Sequence, residues 1–192
     1  MEAWRQARSD GAKHSMSNKN EEPQHSCQVV LDFMKAQKAA IVSAADTDGV
    51  PWAVPVFYIH DGFQVYWLTN PSNRLGSYLQ ANPRAVLCIL AESLDWQKMQ
   101  GLQMEGAVDI VESRREQLKA LSLYVRRFAG LSKVLLNPAK SGGLIGKAAS
   151  MRFHRFTPSR CWFTDHQRGF AHRIELTLSR DEKTGEIFAK RN

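Results

Sequence analysis

Four residues between positions 69 and 74 carry side chains that proteins use to bind phosphate. Thr69 and Ser72 have hydroxyl groups, Asn73 has an amide, and Arg74 has a permanent positive charge. A planar guanidinium can hold a phosphate through two parallel hydrogen bonds. If a helix begins at this turn, its first amide N–H groups also point outward and carry part of the helix dipole. The segment therefore predicts a site for a ligand that bears a phosphate group.

Two predicted elements position these side chains. Residues 63–70 alternate in polarity, as in a β-strand, and the pair Asn70-Pro71 interrupts that strand. Ser72 is then the predicted N-cap of a short helix that ends before Pro83. On these residues alone a second interpretation stays open, in which Ser72 caps an ordinary surface helix and Arg74 is solvated in its first turn.

Three predicted antiparallel strands lead to this turn. Residues 39–45 form a small apolar run that is followed by a turn at residues 46–49. Residues 50–60 form the second strand, and Asp61-Gly62 is a tight hairpin turn into residues 63–70. The chain thus predicts a β-meander that ends at the candidate phosphate site.

The remaining segments predict further strands and two longer helices. A helix over residues 26–37, capped by Ser26, would cover one end of a barrel. The other strands are expected at residues 84–91, 100–111, 151–156, 160–165 and 173–178, with Thr157-Pro158 as a break and Gly106 as a bulge or a close backbone approach.

Residues 113–129 predict the second long helix, which opens with a capping box formed by Ser113 and Glu116. Because Tyr124 is the one aromatic residue between its cations, a stacking platform for single-stranded nucleic acid is not supported. The residues expected to face the core are Leu118, Leu121, Val125 and Phe128, and those expected to project outward are Arg114, Arg115, Lys119, Arg126 and Arg127.

Several short motifs follow one another in the first half of the chain. They are Asp48-Gly49 with Pro51, the strand Pro55-Val56-Phe57-Tyr58, Val65-Tyr66 with Thr69-Asn70, Ser72-Asn73-Arg74, Leu79, Asn82-Pro83 and Gly106. In this order and spacing they resemble the FMN-binding split barrels related to pyridoxamine 5'-phosphate oxidase. The tail over residues 156–173 is similar to that of small bacterial members of the superfamily.

The resemblance implies a mainly β fold with flanking helices, an antiparallel split β-barrel of six to eight strands and Greek-key type. It implies an FMN cofactor at the interface of a homodimer, with the phosphate at the turn after the third strand. The residues it implies for the cofactor are Thr69, Ser72, Asn73 and Arg74 at the phosphate, Pro55, Val56, Leu68 and Gln100 along the ring, and Trp162 and Arg173 near the ring from the partner subunit.

Such a protein would be an FMN-dependent oxidoreductase that acts on a small-molecule substrate or electron donor. Its substrate is not identified, because Val54 and Ile59 replace the basic residues that the oxidases carry on the second strand. No residue is an evident general acid or base, and hydride transfer at a flavin need not require one. The alternative is a non-catalytic flavin or haem binding protein on the same barrel, with His166 or His172 as the axial haem ligand.

Length and composition are typical of a single globular domain. The chain has 192 residues, of which 43% are hydrophobic. Residues 1–24 are polar and predict a flexible leader, within which Met16 is a possible start of translation, and residues 25–192 predict one domain. No apolar run approaches the ~20 residues that span a bilayer. We therefore expect a cytoplasmic protein without membrane contact.

The net charge of +7 is unevenly distributed. Residues 113–173 contain 13 basic and 2 acidic residues, whereas residues 1–112 are net acidic. Such a region can steer anionic ligands, surround a phosphorylated cofactor or contact nucleic acid. A solvated basic helix face explains the same pattern, and nucleic acid is the less favoured partner.

Three other possible sites are weaker. The Gly-rich segment at residues 141–150 lacks the hydroxyl residue that a nucleotide-binding loop needs for magnesium. No closed zinc pattern fits the spacing of Cys161, Asp165, His166 and His172, so a metal site is not expected. Cys27, Cys88 and Cys161 are expected as reduced thiols, with Cys88 in the core and Cys161 only a weak candidate for a reactive thiolate. Trp96 is expected to cover the core rather than to stack on a flavin.

Overall fold

The computed structural model describes residues 23–130, 150–181 and 184–189. The predicted leader, apart from its last two residues, and the Gly-rich segment, apart from Ser150, lie outside the described residues. No helix in the described ranges is long and apolar enough to cross a bilayer. The helices are α1 (Pro23–Ala36), α2 (Arg74–Ala81) and α3 (Arg114–Arg127), and the strands are β1 (Ala39–Ala45), β2 (Pro51–Asp61), β3 (Gln64–Thr69), β4 (Arg84–Leu90), β5 (Gln100–Ile110), β6 (Arg152–Asp165), β7 (Arg173–Arg180) and β8 (Ile187–Ala189).

Strands β1 to β6 close into an antiparallel barrel. Their order is β3-β2-β1-β4-β5-β6, and β3 also pairs with β6, which places Trp67 opposite His154. Strands β7 and β8 continue the sheet beyond β6. The expected mainly β fold, a split barrel of six to eight antiparallel strands with flanking helices, is therefore confirmed.

The barrel interior is apolar, and α1 packs into this core. Val42, Trp67 and Leu87 are fully buried, and burial of side chains of this size contributes about 1.5–3 kcal/mol each. The ring of Phe33 in α1 lies 4.9 Å from that of Phe163 in β6. The helix begins at Pro23, three residues before the expected start, so Ser26 is a buried residue of the helix and not its cap.

Helix α3 packs on the outer surface of the barrel through a face that overlaps the predicted one at Phe128 but otherwise differs from it. Its buried residues are Ala120 and Tyr124, whereas Leu118 and Leu121 are 59% and 41% exposed. The Tyr124 ring lies 5.9 Å from that of Phe153 in β6. The small side chain of Ala120 allows the helix to approach the sheet, so the contact face is shifted by one residue.

The predicted capping box of α3 does not form. Ser113 is the N-cap residue, but its side chain makes no capping hydrogen bond. Glu116 turns toward the barrel instead, where it accepts hydrogen bonds from the Tyr66 hydroxyl at 2.8 Å and from Arg155 Nη1 at 3.0 and 3.1 Å. A cation on β6 thus competes successfully with the local backbone for this carboxylate.

Arg127 does not project outward as predicted. Its Nη2 donates to the carbonyls of Lys35, at 3.1 Å, and Gln37 at the end of α1. Because the last carbonyls of a helix lack partners within the helix, this arginine ties α3 to α1.

Strand β6 is one continuous strand and not two strands separated at Thr157-Pro158. The proline is tolerated because the register with β5 shifts between Glu105 and Gly106, directly opposite. A Cβ atom at Gly106 would lie 2.2 Å from the Thr157 carbonyl oxygen. The predicted bulge at Gly106 is therefore confirmed, and the close approach of the two backbones explains the glycine.

Candidate functional site

Asparagine side chains hold the turn between β3 and α2. Asn70 Oδ1 accepts a hydrogen bond from the Ser72 amide at 2.9 Å. Asn73 Oδ1 accepts from the Gly76 amide at 2.7 Å, and Asn73 Nδ2 donates to Thr69 Oγ1 at 2.9 Å. Asn73, and not Ser72 as predicted, is therefore the N-cap of α2.

The first turn of α2 lies directly against the chain that precedes it. A Cβ atom at Gly76 would be 2.1 Å from the carbonyl oxygen of Pro71. Every other residue at this position would force the two backbone segments apart. Gly76 therefore keeps the turn and the helix start in one fixed arrangement.

Arg74 is held between two aromatic side chains. Its guanidinium carbon lies 4.1 Å from the centroid of the Trp52 ring in β2 and 5.4 Å from that of Tyr78 in α2. Its Nε and Nη2 atoms donate to the Tyr78 hydroxyl at 3.1 and 2.9 Å. The Nη1 group has no partner among the described residues, so one edge of a fixed cation remains available to a ligand.

Further donors of the turn are also available. The amides of Ser72 and Gly76 are already used by the asparagines, but those of Arg74 and Leu75 have no acceptor among the described residues, as expected at a helix start. Thr69 Oγ1 accepts from an asparagine and keeps its own proton for donation. These groups can together bind an anion with several oxygen atoms.

The predicted ring-lining residues of β2 and β3 have different environments. Pro55 is exposed on the outer surface of the barrel, opposite Ile41. Val56 is half-buried and packs against the barrel core. Leu68 is half-buried and packs against the cluster beneath α3. The side chains of Pro55 and Val56 thus lie on opposite faces of β2.

A second group of candidate residues lies on the outer face of β5, β6 and β7. The guanidinium carbons of Arg160 and Arg173 lie 4.9 and 5.6 Å from the centroid of the Trp162 ring. Arg173 Nη2 donates to Gln103 Oε1 at 3.2 Å, and Gln103 is opposite Trp162 in the β5–β6 register. The structure therefore brings Trp162 and Arg173 together around Gln103, a glutamine that was not among the predicted residues.

Gln100, the predicted glutamine, does not belong to this group. It lies three residues away from Gln103 in the same strand, which places it on the opposite face, with Leu102, toward the barrel interior. The alternation of β5 was the available signal for choosing between the two. To use this alternation, one must know which residue of β5 lies opposite Trp162, and the sequence does not provide that register.

Within one protomer the two candidate groups do not meet. Thr69 pairs with Arg152 at the start of β6, and Trp162 lies ten residues farther along the same strand. At about 3.3 Å per residue, ten residues span up to roughly 33 Å. The turn between β3 and α2 and the group around Trp162 therefore lie toward opposite ends of β6.

The other candidate residues have less favourable environments for chemistry. Cys161 is fully buried, and burial raises the pKa of its thiol to about 12, so it is not a reactive thiolate. Cys88 is half-buried and shares the face of the exposed Val86 and Leu90, not the core as predicted. Trp96 is 61% exposed and does not cover the core. No group of three His, Cys, Asp or Glu residues within the described ranges could hold a metal ion.

Several solved structures share the fold at low sequence identity. A haem-binding protein from Mycobacterium smegmatis is 17% identical with a TM-score of 0.59, and the alignment covers 75% of this chain but 54% of that one. The haem storage protein HutZ from Vibrio cholerae is 14% identical with a TM-score of 0.53, over 68% of this chain and 88% of that one. General stress protein 26 from Bacillus anthracis is 16% identical with a TM-score of 0.57, over 80% and 99%. At these identities the similarity shows the fold alone.

The family match is more specific. No significant match is found among curated protein sequences. The family model for pyridoxamine 5'-phosphate oxidase matches residues 28–160, which is more than half of the chain and includes the turn between β3 and α2 and the bulge at Gly106. The predicted resemblance is therefore confirmed, and the chain belongs to the pyridoxamine 5'-phosphate oxidase-like family.

Proposed function

We propose that this protein binds FMN and acts as an oxidoreductase on a small-molecule substrate or electron donor. The observation that carries the proposal is the position of Arg74, which is fixed at the start of α2 with Nη1 unpaired among the described residues. The chain also belongs to the pyridoxamine 5'-phosphate oxidase-like family, and its resemblance to that family implies a flavin.

The phosphate of FMN would bind at the turn between β3 and α2. Arg74 Nη1 and the amides of Arg74 and Leu75 would donate to its oxygens, and the hydroxyls of Thr69 and Ser72 would complete the contacts. The positive end of α2 favours a dianion. Asn73 would act indirectly, because its side chain already bonds Thr69 and Gly76 and holds the turn in shape.

The flavin ring would lie against a second copy of the chain. Trp162, Arg173 and Gln103 form an aromatic and polar surface toward the other end of β6 from Arg152, which pairs with Thr69. A two-fold dimer would place this surface beside the partner's turn and would form two equivalent sites. The backbone of Pro55 and Val56, with Leu68, would border the ring on the first chain.

An exposed apolar patch on β1 and β4 supports this dimer. Ile41, Val86 and Leu90 are 48%, 42% and 67% exposed, and they project from neighbouring strands. Contiguous apolar surface of this kind marks an interaction site. A second copy is the fitting partner because an isologous contact buries the same patch on both chains and joins the two halves of the site.

Bound FMN would supply the hydride or electron chemistry. The residues of this chain would bind the phosphate, orient the ring and exclude water from one of its faces. Transfer of a hydride does not require a general base from the protein, which is consistent with the absence of an evident acid–base pair among the candidate residues. The substrate would be a small molecule that stacks on the ring.

Haem binding is the second candidate function, and His166 favours it. A carbonyl oxygen only accepts, so His166 Nδ1 donates to the carbonyl of Trp96 at 2.9 Å and Nε2 carries the lone pair. The exposed rings of Trp96 and Phe170 lie 6.4 and 5.5 Å from the imidazole. A fixed tautomer beside aromatic rings suits an axial haem ligand.

Absorbance and titration separate these functions. FMN gives a two-banded yellow spectrum, whereas haem gives a Soret band. We expect Arg74→Ala to weaken FMN binding by about ten- to 150-fold, the equivalent of the ~1.5–3 kcal/mol of a charged hydrogen bond, and to leave riboflavin binding nearly unchanged. Arg126→Ala, which removes an exposed cation from α3, is the matched control. Equal losses for both flavins would contradict the phosphate assignment, and a Soret band without flavin binding would favour haem.

A further inference from the structure

A cavity of about 520 Å³ lies between α2, the end of β5, the start of α3 and β6. Its size is within the range of small-molecule sites. Leu79, Val108 and Val111 give it apolar walls, and Glu112 and His154 contribute polar groups. None of the residues proposed to contact FMN lines this cavity, although it borders the first turn of α2 at Gly76.

His154 is the buried polar residue of this cavity. It is 2% exposed, and its Nδ1 lies 3.2 Å from the carbonyl oxygen of Arg152. Because a carbonyl oxygen accepts only, Nδ1 carries the proton and Nε2 carries the lone pair. Nε2 has no hydrogen-bond partner among the described residues. A ligand in the cavity that carries an N–H donor would supply a partner for this nitrogen.

The ring of His154 cannot turn freely. It is stacked on the fully buried ring of Trp67, with centroids 5.8 Å apart and planes within 12°. Burial lowers the pKa of His154, so the imidazole is held neutral and available as an acceptor. The acceptor is therefore preorganised.

The charged side chains that line the cavity carry an excess of negative charge. Arg155 donates to Asp109 at 2.7 and 2.9 Å and to Glu116 at 3.0 and 3.1 Å, so these three groups pair with one another. Glu112 has no ion-pair partner within the described ranges. With three carboxylates and one guanidinium at its walls, the cavity favours a cation.

We propose that this cavity binds a small planar organic cation, an amidinium or guanidinium group on a short apolar body, between His154 Nε2 and the Glu112 carboxylate. The N–H groups of such a cation donate to the imidazole and to the carboxylate at once. Its apolar body contacts Leu79, Val108 and Val111. The binding does not depend on FMN or on the dimer.

Benzamidine is the probe, and neutral benzamide is its matched control. The full-length protein is labelled with ¹⁵N in its histidine rings and titrated with each compound while the His154 Nε2 resonance is followed. We expect benzamidine to shift this resonance in a saturable manner and to bind at least about tenfold more tightly than benzamide. No shift at saturating benzamidine, or equal binding of both compounds, overturns the proposal.

Two variants test the residues. His154→Phe keeps the ring on Trp67 but removes Nε2, and it should abolish binding as measured by calorimetry. Because His154 is buried, Glu112→Gln provides an independent test at an exposed position and should weaken benzamidine binding by about threefold or more, as expected for a partly exposed charge. Glu92→Gln, an exposed loop change outside the cavity, should have no effect. Equal effects of the two glutamine variants would overturn the proposal.

Discussion

The guanidinium of Arg74 lies 4.1 Å from the centre of the Trp52 ring, so a side chain of β2 fixes the cation at the start of α2. The two residues are 22 positions apart in the chain. Their contact links the proposed phosphate site to the barrel wall. It should also favour ligand binding, because a mobile arginine would lose conformational freedom when it binds, whereas a stacked arginine has already lost it.

Replacement of Trp52 by Leu should weaken FMN binding without removing any donor. A cation–π contact of this exposure contributes about 0.5–1 kcal/mol, so we expect the Kd for FMN to rise by roughly two- to fivefold. Trp96→Leu changes an exposed tryptophan that does not contact Arg74 and serves as the control. Fluorescence titration measures both, and an unchanged Kd in Trp52→Leu would show that the stacking does not preorganise the site.

Gly76→Ala should disturb the same turn through a steric clash between α2 and the carbonyl group of Pro71. The new Cβ atom would lie 2.1 Å from the Pro71 carbonyl oxygen, so the helix start must move away from the turn. We expect a loss of about 1–3 kcal/mol in the free energy of unfolding, together with weaker FMN binding. Denaturant titration measures the first and flavin titration the second.

Gly130→Ala is the matched control for this substitution. No atom lies within 4 Å of a Cβ atom at Gly130, so its stability should change by less than about 0.5 kcal/mol. If the two variants were equally stable, the close packing at Pro71 would not constrain the turn.

The meander and its hairpins could be predicted from the sequence because their signals are local. The strand over residues 39–45 has the predicted limits, and Gly106 marks the predicted bulge. The position of the α2 cap could not be predicted, because Ser72 and Asn73 are equally good capping residues. The choice between them depends on where the preceding turn ends. The hydrogen bond from the Ser72 amide to Asn70 Oδ1 places Ser72 within that turn.

The failures beyond this turn have long-range causes. Pro158 is accommodated within β6 by a bulge at Ser159, whose position depends on the pairing with β5 and not on the sequence of β6 alone. Gln103 could not be distinguished from Gln100 without the register between β5 and β6. The contact face of α3 depends on Ala120, a small residue whose hydrophobicity is weak but which allows close packing against the sheet.

Ile41→Lys should convert the proposed dimer into a monomer. Ile41 lies in the middle of the exposed apolar patch, where a second copy would bury an unpaired ammonium. We expect the wild-type protein to sediment at twice the chain mass of 21.7 kDa and the variant at the chain mass itself. The variant should also bind FMN more weakly than the wild-type protein, because the contacts to the flavin ring would come from the partner.

Leu118→Lys places the same charge at an exposed leucine on α3, away from the patch, and should leave the dimer intact. Sedimentation velocity distinguishes these results. A monomeric wild-type protein with tight FMN binding would contradict the shared site.

Stability should fall as the solution becomes acidic, because the buried His154 and the half-buried His60 resist protonation. Burial lowers the pKa of both His154 and His60 below the ordinary value of about 6.5, although the carbonyl of Arg152 and the charge of Asp109 oppose the shift at His154. The unfolded chain therefore takes up protons near pH 6.5 that the native chain does not. The free energy of unfolding decreases from this pH downward, until the native histidines are also protonated.

The contribution of His154 to this pH dependence can be measured directly. One histidine changes the free energy of unfolding by at most about 1.4 kcal/mol per pH unit, and only between its native pKa and about pH 6.5. His154→Phe keeps an aromatic ring on Trp67. In denaturant titrations between about pH 7.5 and 5, this variant should show a smaller slope of stability against pH than the wild-type protein. His25→Phe, an exposed change in α1, is the control and should leave the slope unchanged. An unaltered slope in His154→Phe would mean that its imidazole is protonated as readily in the native chain as in the unfolded one, and the cavity would then present a donor where a lone pair is expected.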